Sequence, residues 1–537
     1  MSGISGINKS NFRQLLGSTK VNALAMASGT FVSRVTGLLR LLALAYALGI
    51  GPFSDSFNLA NNTPNIIYDL LLGGVISASI LPVFVGHLAK EDKKSAWKSI
   101  SVVLSVGIVL LVVGTVVFEL VAPLIIHLYL IVNHSSIAPQ QQRVATLLLR
   151  FFAPQLFFYG FIAIITAILN ARSVFAPPAY APVINNLVAI VVFLAFSQTR
   201  KLLALGQIHA LSLPILLLGI GTTAGVALQA LYLIPYLKKA GARLSFNPDF
   251  RHKAVREIRA ISGWAVGFVM ANQIALFTIL AIADGSKPGT VTAYSYGYIF
   301  FQLPYGIAAY SIMTAIMPDL ARSYGINQIE RYKTQLGKGL RSSVSVMIPS
   351  AFAYLAIARP LLTLLLAHGA ANIAGADLTS RTLGGFAVGL PGFAGYLGVV
   401  QAYQSIKDTK IVFFLYLVEN GLNIVLAIIL DHLFGAFGLA LSLSLAYSLA
   451  FLVGLATLIR RDLAPNLRML FKPWFNSIAA SVAMYAAMRI LISKIGVSTG
   501  LHLLLQLLLE TAVGGVVFIA VTILGSHIDS LGDGNAK

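Results

Sequence analysis

No cysteine occurs anywhere in this chain, which excludes disulfides, thiol nucleophiles and thiolate metal sites. Charge is scarce too. Asp, Glu, Lys and Arg make up 10% of the 537 residues, where a soluble domain averages about 25%. Acidic residues are the scarcest, with Asp+Glu 18 against Lys+Arg 38 and a net charge of +20. The nine His form no HExxH spacing, and neither a GxSxG elbow nor a GxxxxGK[ST] loop is present. Without a nucleotide-binding motif, energy for any transport must come from an ion gradient, the membrane potential or a downhill substrate. What the chain does have is apolar residues, at 57%. This is the composition of an all-α polytopic membrane protein with no sizeable soluble domain.

Apolar stretches of spanning length recur about fourteen times. They lie near 21–48, 62–88, 100–125, 144–169, 180–197, 210–236, 258–284, 291–319, 342–366, 380–405, 410–430, 434–459, 473–493 and 501–525. Basic residues cluster in alternate loops, as in Lys90, Lys93, Lys94 and Lys98, or Lys238, Lys239, Arg243 and Arg251. The positive-inside bias makes both termini cytoplasmic, which requires an even number of spans. The net charge then reads as topology plus adhesion to anionic membrane lipid. Nucleic-acid binding fits poorly, because the charges are scattered over short loops.

The longest polar stretch, from Lys238, splits the first twelve or so spans into halves. Ser79-Ile80-Leu81-Pro82 in the first half is echoed by Ala315-Ile316-Met317-Pro318 in the second. Parallel repeats about an axis along the membrane normal are expected. The expected division is an N-terminal tail (1–20), an N-lobe (21–237), a basic linker (238–257), a C-lobe (258–460), an appended two-helix hairpin (461–526) and a C-terminal tail (527–537). Gly73-Gly74, Pro154, Pro304, Gly306, Gly384-Gly385 and Pro391 fall within spans. There they permit close packing and kinks.

Arg34 and Arg40 lie inside the first apolar stretch, where a charge at mid-bilayer costs about 2.5–3.5 kcal/mol. Arg34 is about 20 Å along the helix from Val21, too deep to snorkel easily; Arg40 is nearer the far end. Ser33, Thr36 and Arg40 share a face. Arg34 is turned about 120° away and lies about 9 Å from Arg40 along the axis. The pair suits a bulky anion, since Arg forks onto phosphate. The alternative is a buried ion pair with Asp69, which opens the second span beside Asn61, Asn62 and Asn65. Arg150 lies near the outer end of its span, where it would snorkel. A second deep carboxylate, Glu419, shares a helix face with Asn423. With Asn272 or Gln273, and Ser442 or Ser444, it would offer oxygens to a hard cation such as Na⁺, or serve as a protonatable group. Interhelical hydrogen bonding is the plainer reading of the same residues.

Phe31-Val32-Ser33-Arg34-Val35-Thr36-Gly37-Leu38-Leu39-Arg40, Asp55, Thr63-Pro64-Asn65 and Leu81-Pro82-Val83-Phe84 together resemble the MurJ/MviN family of lipid II flippases. Gln302-Leu303-Pro304-Tyr305-Gly306 and Met317-Pro318 resemble the eighth span of its actinobacterial branch. The resemblance implies the MOP-type fold, two six-helix lobes in a V plus a C-terminal hairpin for the polyprenyl tail. It implies a bacterial cytoplasmic membrane protein without catalytic residues. Its partner would be lipid II, an undecaprenyl-pyrophosphate-linked disaccharide-pentapeptide, moved to the outer leaflet for peptidoglycan synthesis. Cell-wall synthesis or division proteins are further expected partners. Pyrophosphate and head group would be held by Arg34, Arg40, Asp55, Asn65 and Asp69. Asn272, Glu419, Asn423 and Ser442 would form an ion-coupling site, with Na⁺ at Glu419 and Asn423 or a proton in its place, and no other cofactor. The chain departs from the family at Tyr68 and Asp69, at Ile299 and at Leu41, where the family carries two further arginines and an acidic residue. These departures leave room for another lipid-linked oligosaccharide, a drug substrate of the same superfamily, or a scaffold that recruits cell-wall proteins without transport.

Overall fold

A computed structural model describes residues 9–70, 80–90, 93–133, 139–203, 212–261, 263–496 and 500–534. Gly73-Gly74, Ser79, part of the second apolar stretch and the extreme ends of both tails lie outside the described residues. Among the described residues every regular element is helical. Eleven helices among the described residues are long and apolar enough to cross a membrane. The number is twelve if Ile373–Ala387 and Leu390–Ser405, bent by 49°, form one span. Two of the fourteen or so stretches expected fall outside that number. One is the shorter apolar helix Val269–Gly285, and the other runs through 71–79.

The chain divides into two compact units. The first comprises Met1–Leu48, Ala60–Ile126 and Pro139–Val269. In it, Lys9–Leu48 packs on Ala176–Leu203, which packs on Leu213–Lys239, which in turn packs on Pro154–Ala171. Small residues permit this. A Cβ on Gly225 would come within 2.7 Å of Asn185 Oδ1, the kind of approach that holds helices together where lipid removes the hydrophobic drive. Pro154 breaks its span after Ala153, because it lacks the N–H that would continue the ladder.

The second unit comprises Gly49–Leu59, His127–Ala138 and Met270–Lys537. Its centre is Ala436–Arg460, packed on Thr409–Phe434, Ile373–Ala387 and Leu390–Ser405. A Cβ on Gly385 would lie 2.5 Å from the Phe437 carbonyl oxygen, so only glycine lets these backbones meet. The helix after Pro304 loosens into a π-turn, Tyr305–Ala309, before resuming at Tyr310. A proline at this point leaves one carbonyl without its donor and bends the span. The terminal hairpin docks through Leu467–Ile495 on Ile329–Leu366, and Gly500–Gly534 packs against both.

Two segments N-terminal to the basic linker join the second unit. Tyr129 stacks on Phe277 with ring centroids 4.1 Å apart, and Asn58 Nδ2 donates to Thr292 Oγ1 at 3.1 Å. Contacts more than a hundred residues apart in sequence leave no periodic trace, which is why linker composition alone does not reveal them.

Candidate functional site

In the first unit the arginine-bearing helix turns its small polar face inward. Asn186 Nδ2 donates to Ser33 O at 3.2 Å and to Thr36 Oγ1 at 3.1 Å. Thr36 itself donates to Val32 O at 2.9 Å. This contact consumes the Ser33 and Thr36 face and leaves Arg34, on a different face, exposed. Among the described residues Arg34 has no ion-pair or hydrogen-bond partner. Arg40 is half-buried, and its charge acts on the Tyr159 hydroxyl. Tyr159 donates to Gln155 Oε1 at 3.0 Å and is hydrogen-bonded by Asn65. Gln155 is in turn anchored by Thr223 at 3.2 Å. Tyr68 lies against Tyr159, with centroids 6.3 Å apart, and half-buried Asp69 adjoins it. The structure thus brings Arg40 and Asn65 together through Tyr159, a residue that sequence reasoning missed. Arg150 is exposed, with the charge of Glu119 acting across from it.

Asp55 does something other than the head-group contact expected of it. It belongs to the second unit, where it is buried and caps the helix Thr290–Pro304. Its oxygens accept from Gly289 N at 2.5 Å, Thr292 N at 2.9 Å and Thr292 Oγ1 at 2.7 Å. A carboxylate at a helix N-terminus answers orphan N–H groups and the positive end of the dipole. Gly289 makes the turn possible with φ of +92°. With both oxygens engaged this way, Asp55 is a structural cap rather than a ligand for an anion.

Glu419 is 2% exposed, and it lines a cavity of the second unit with Asn272, Asn420, Asn423, Tyr294, Tyr298 and Tyr447. The charge of Glu419 also acts on Tyr396 and Tyr416, so phenols surround the carboxylate. Asn420 is tied to Tyr416 O at 2.8 Å. Ser442 stands behind the cavity wall and donates to Asn423 Oδ1 at 2.9 Å. Ser444 bonds Gly385 O at 2.8 Å and is thereby committed to packing. Of the four ion-site candidates, Asn272, Glu419 and Asn423 meet at one cavity, and Ser442 orients one of them. Among the described residues no group of three or more His, Cys, Asp or Glu forms a metal cluster. One carboxylate with amide and phenol oxygens suits a hard monovalent cation or a proton, not a transition metal. The tyrosines had a readable signal, since Tyr294 and Tyr298, like Tyr416 and Asn420, are four apart on one face.

A family model described as "Lipid II flippase MurJ" matches residues 44–510. A curated relative from Burkholderia cenocepacia, named "Lipid II flippase MurJ", is 27% identical over 72% of this chain and 74% of its own length. One from Buchnera aphidicola, named "Probable lipid II flippase MurJ", is 24% identical over 93% of this chain and 96% of its own. Among solved structures, an inward closed conformation of lipid II flippase MurJ superposes with a TM-score of 0.76 at 20% identity, covering 93% of this chain and 98% of that one. An inward-facing MATE-family transporter of the MOP superfamily superposes with a TM-score of 0.66 at 15% identity, covering 79% of this chain and 94% of that one.

Proposed function

The chain belongs to the lipid II flippase MurJ family, and from that premise we propose how its two units divide the work of flipping lipid II. As a family member it is a multi-pass membrane protein of MOP-type fold serving peptidoglycan synthesis. In our reading both termini are cytoplasmic, and lipid II passes to the outer leaflet by alternating access. No bond is made or broken on the way. Arg34 and Arg40 take the pyrophosphate, with Asn65 and Tyr159 setting the position of Arg40. Asp69, half-buried beside Tyr68, completes the polar wall.

One observation supports this reading above the rest. Arg34 is exposed within a membrane span and has no ion-pair or hydrogen-bond partner among the described residues. An intramembrane cation left in this way serves a passing anion. The polyprenyl tail would lie along the terminal hairpin, where Phe471, Trp474 and Ile478 join Phe352, Leu355 and Phe451 in an apolar groove. Ion binding at Glu419, by Na⁺ or a proton, would bias the cycle. Cell-wall synthesis and division proteins are its proposed partners beyond lipid II.

Native mass spectrometry of the purified chain with lipid II tests the head-group assignment. Binding in preference to bulk anionic lipid, lost in Arg34→Ala/Arg40→Ala, is the expected result. Equal binding by the double variant would overturn it.

A further inference from the structure

Glu510 lies within the helix Gly500–Gly534 of the terminal hairpin and is 0% exposed. A carboxylate in a membrane span needs a partner that offsets its charge or a proton that removes it. Its neighbour is Gln506, one turn earlier. Gln506 Nε2 donates to Glu510 Oε1 at 2.7 Å and to Gly496 O at 3.2 Å. The Gly496 carbonyl can only accept, which identifies the nitrogen end of the amide and uses both of its hydrogens. Among the described residues two buried oxygens are then left without a hydrogen, Gln506 Oε1 and Glu510 Oε2. They are the remaining ends of the same two planar groups.

One proton satisfies both. Placed on Glu510 Oε2, it turns that acceptor into a donor, and Gln506 Oε1, the other end of the amide already bonded to Glu510 Oε1, is a buried acceptor that lacks one. Acid and amide then close a cyclic pair with one hydrogen bond in each direction. We infer that Glu510 is a proton-binding site, its carboxyl held as the neutral acid in a cyclic pair with Gln506. The proton comes from water and returns to it, and no covalent bond to carbon changes. A divalent cation is the weaker occupant, since it takes about six or more oxygens and only two are free here among the described residues.

Charged groups nearby do not supply the missing partner. The helices packed on Gly500–Gly534 are Leu467–Ile495 and Ile329–Leu366. On the first, Arg489 and Lys494 are exposed, and Tyr485 rests on Phe352. On the second, Arg359 is paired with Asp377 at 3.1 Å, and Tyr354 donates to Phe300 O at 2.7 Å. His502, on the same helix as Glu510, is exposed. Among the described residues none of these forms an ion pair with Glu510. Gln506 also holds the Gly496 carbonyl, so the pair sits where the start of Gly500–Gly534 meets the end of its partner helix. Losing the proton would put a bare charge into the hairpin.

Infrared difference spectroscopy on the full chain in lipid vesicles tests this, with Glu510→Gln compared to wild type, each in a Glu419→Gln background. At neutral pH a protonated-carboxyl band that shifts in D₂O should be present and should vanish in Glu510→Gln. Gln506→Leu should move its frequency. Should Glu510→Gln fail to insert, carboxyl-¹³C glutamate in the Glu419→Gln chain reads the same band with Glu510 intact, and Gln506→Leu again assigns it. Ionised-carboxylate bands in place of the acid band would overturn the inference, and so would an acid band that Na⁺ titrates away.

Discussion

The two units handle charge in opposite ways. In the first, Arg34 is exposed without a partner among the described residues, and Arg40 is half-buried beside Tyr159. In the second, Glu419 is almost wholly enclosed by tyrosines and asparagines. On the function proposed above, the difference is one of ligand size. A bulky anion needs open guanidinium groups on a flank, whereas a small cation or proton can be sealed in a cavity and exchanged for another. Open charge costs little while water reaches it; sealed charge must be neutralised.

Arg34 is the sharpest place to break this comparison. Arg34→Ala should abolish lipid II flipping in a vesicle assay while the protein still inserts. Arg34→Lys should recover only part, because an ammonium keeps the charge but loses the forked geometry. Intact flipping by well-expressed Arg34→Ala would sink the first-unit assignment. In the second unit, Glu419→Gln should retain lipid II binding but flatten the dependence of flipping on the driving ion, by about tenfold or more if the coupling is worth 1.4 kcal/mol or above. An unchanged ion dependence would move the coupling elsewhere.

Smaller effects separate structural carboxylates from functional ones. Asp55→Ala removes a buried cap, so thermal stability should fall by about 0.5–2 kcal/mol while head-group affinity holds. A selective loss of lipid II binding at unchanged stability would return Asp55 to the substrate site. The smallest effect is expected at Asp408, in the turn before Thr409–Phe434. Burial alone would raise its carboxyl, but the Ile411 N–H and Arg461 outweigh that and hold it below the usual range. Its contribution is therefore present above the unfolded value of about 3.9 and fades as pH falls through the lower folded value. Since the pair is partly exposed, with side chains 44% and 22% accessible, Asp408→Ala should cost no more than about 1 kcal/mol. Melting curves at pH 3 and pH 7 should converge between variant and wild type at the acid end.

Much of this protein is legible in its residues alone. Apolar stretches of spanning length demand helices, since a lipid-exposed backbone must satisfy itself. Arg34 and Arg40 announce themselves by being charged where hydrocarbon should be, and Glu419 with Asn423 by sharing one helical face. These are local facts, settled within one or two turns of chain. Tertiary structure alone decided that Asp55 caps a helix whose bonded groups lie 234 and 237 residues away. It also decided that Ser33 and Thr36 serve Asn186, that five tyrosines gather round Glu419, and that Gln506 reaches back to the Gly496 carbonyl outside its own helix. A side chain's residue type states what it can bond. Which of its bonds are already spent depends on partners brought by distant segments, and no periodicity in the sequence encodes them.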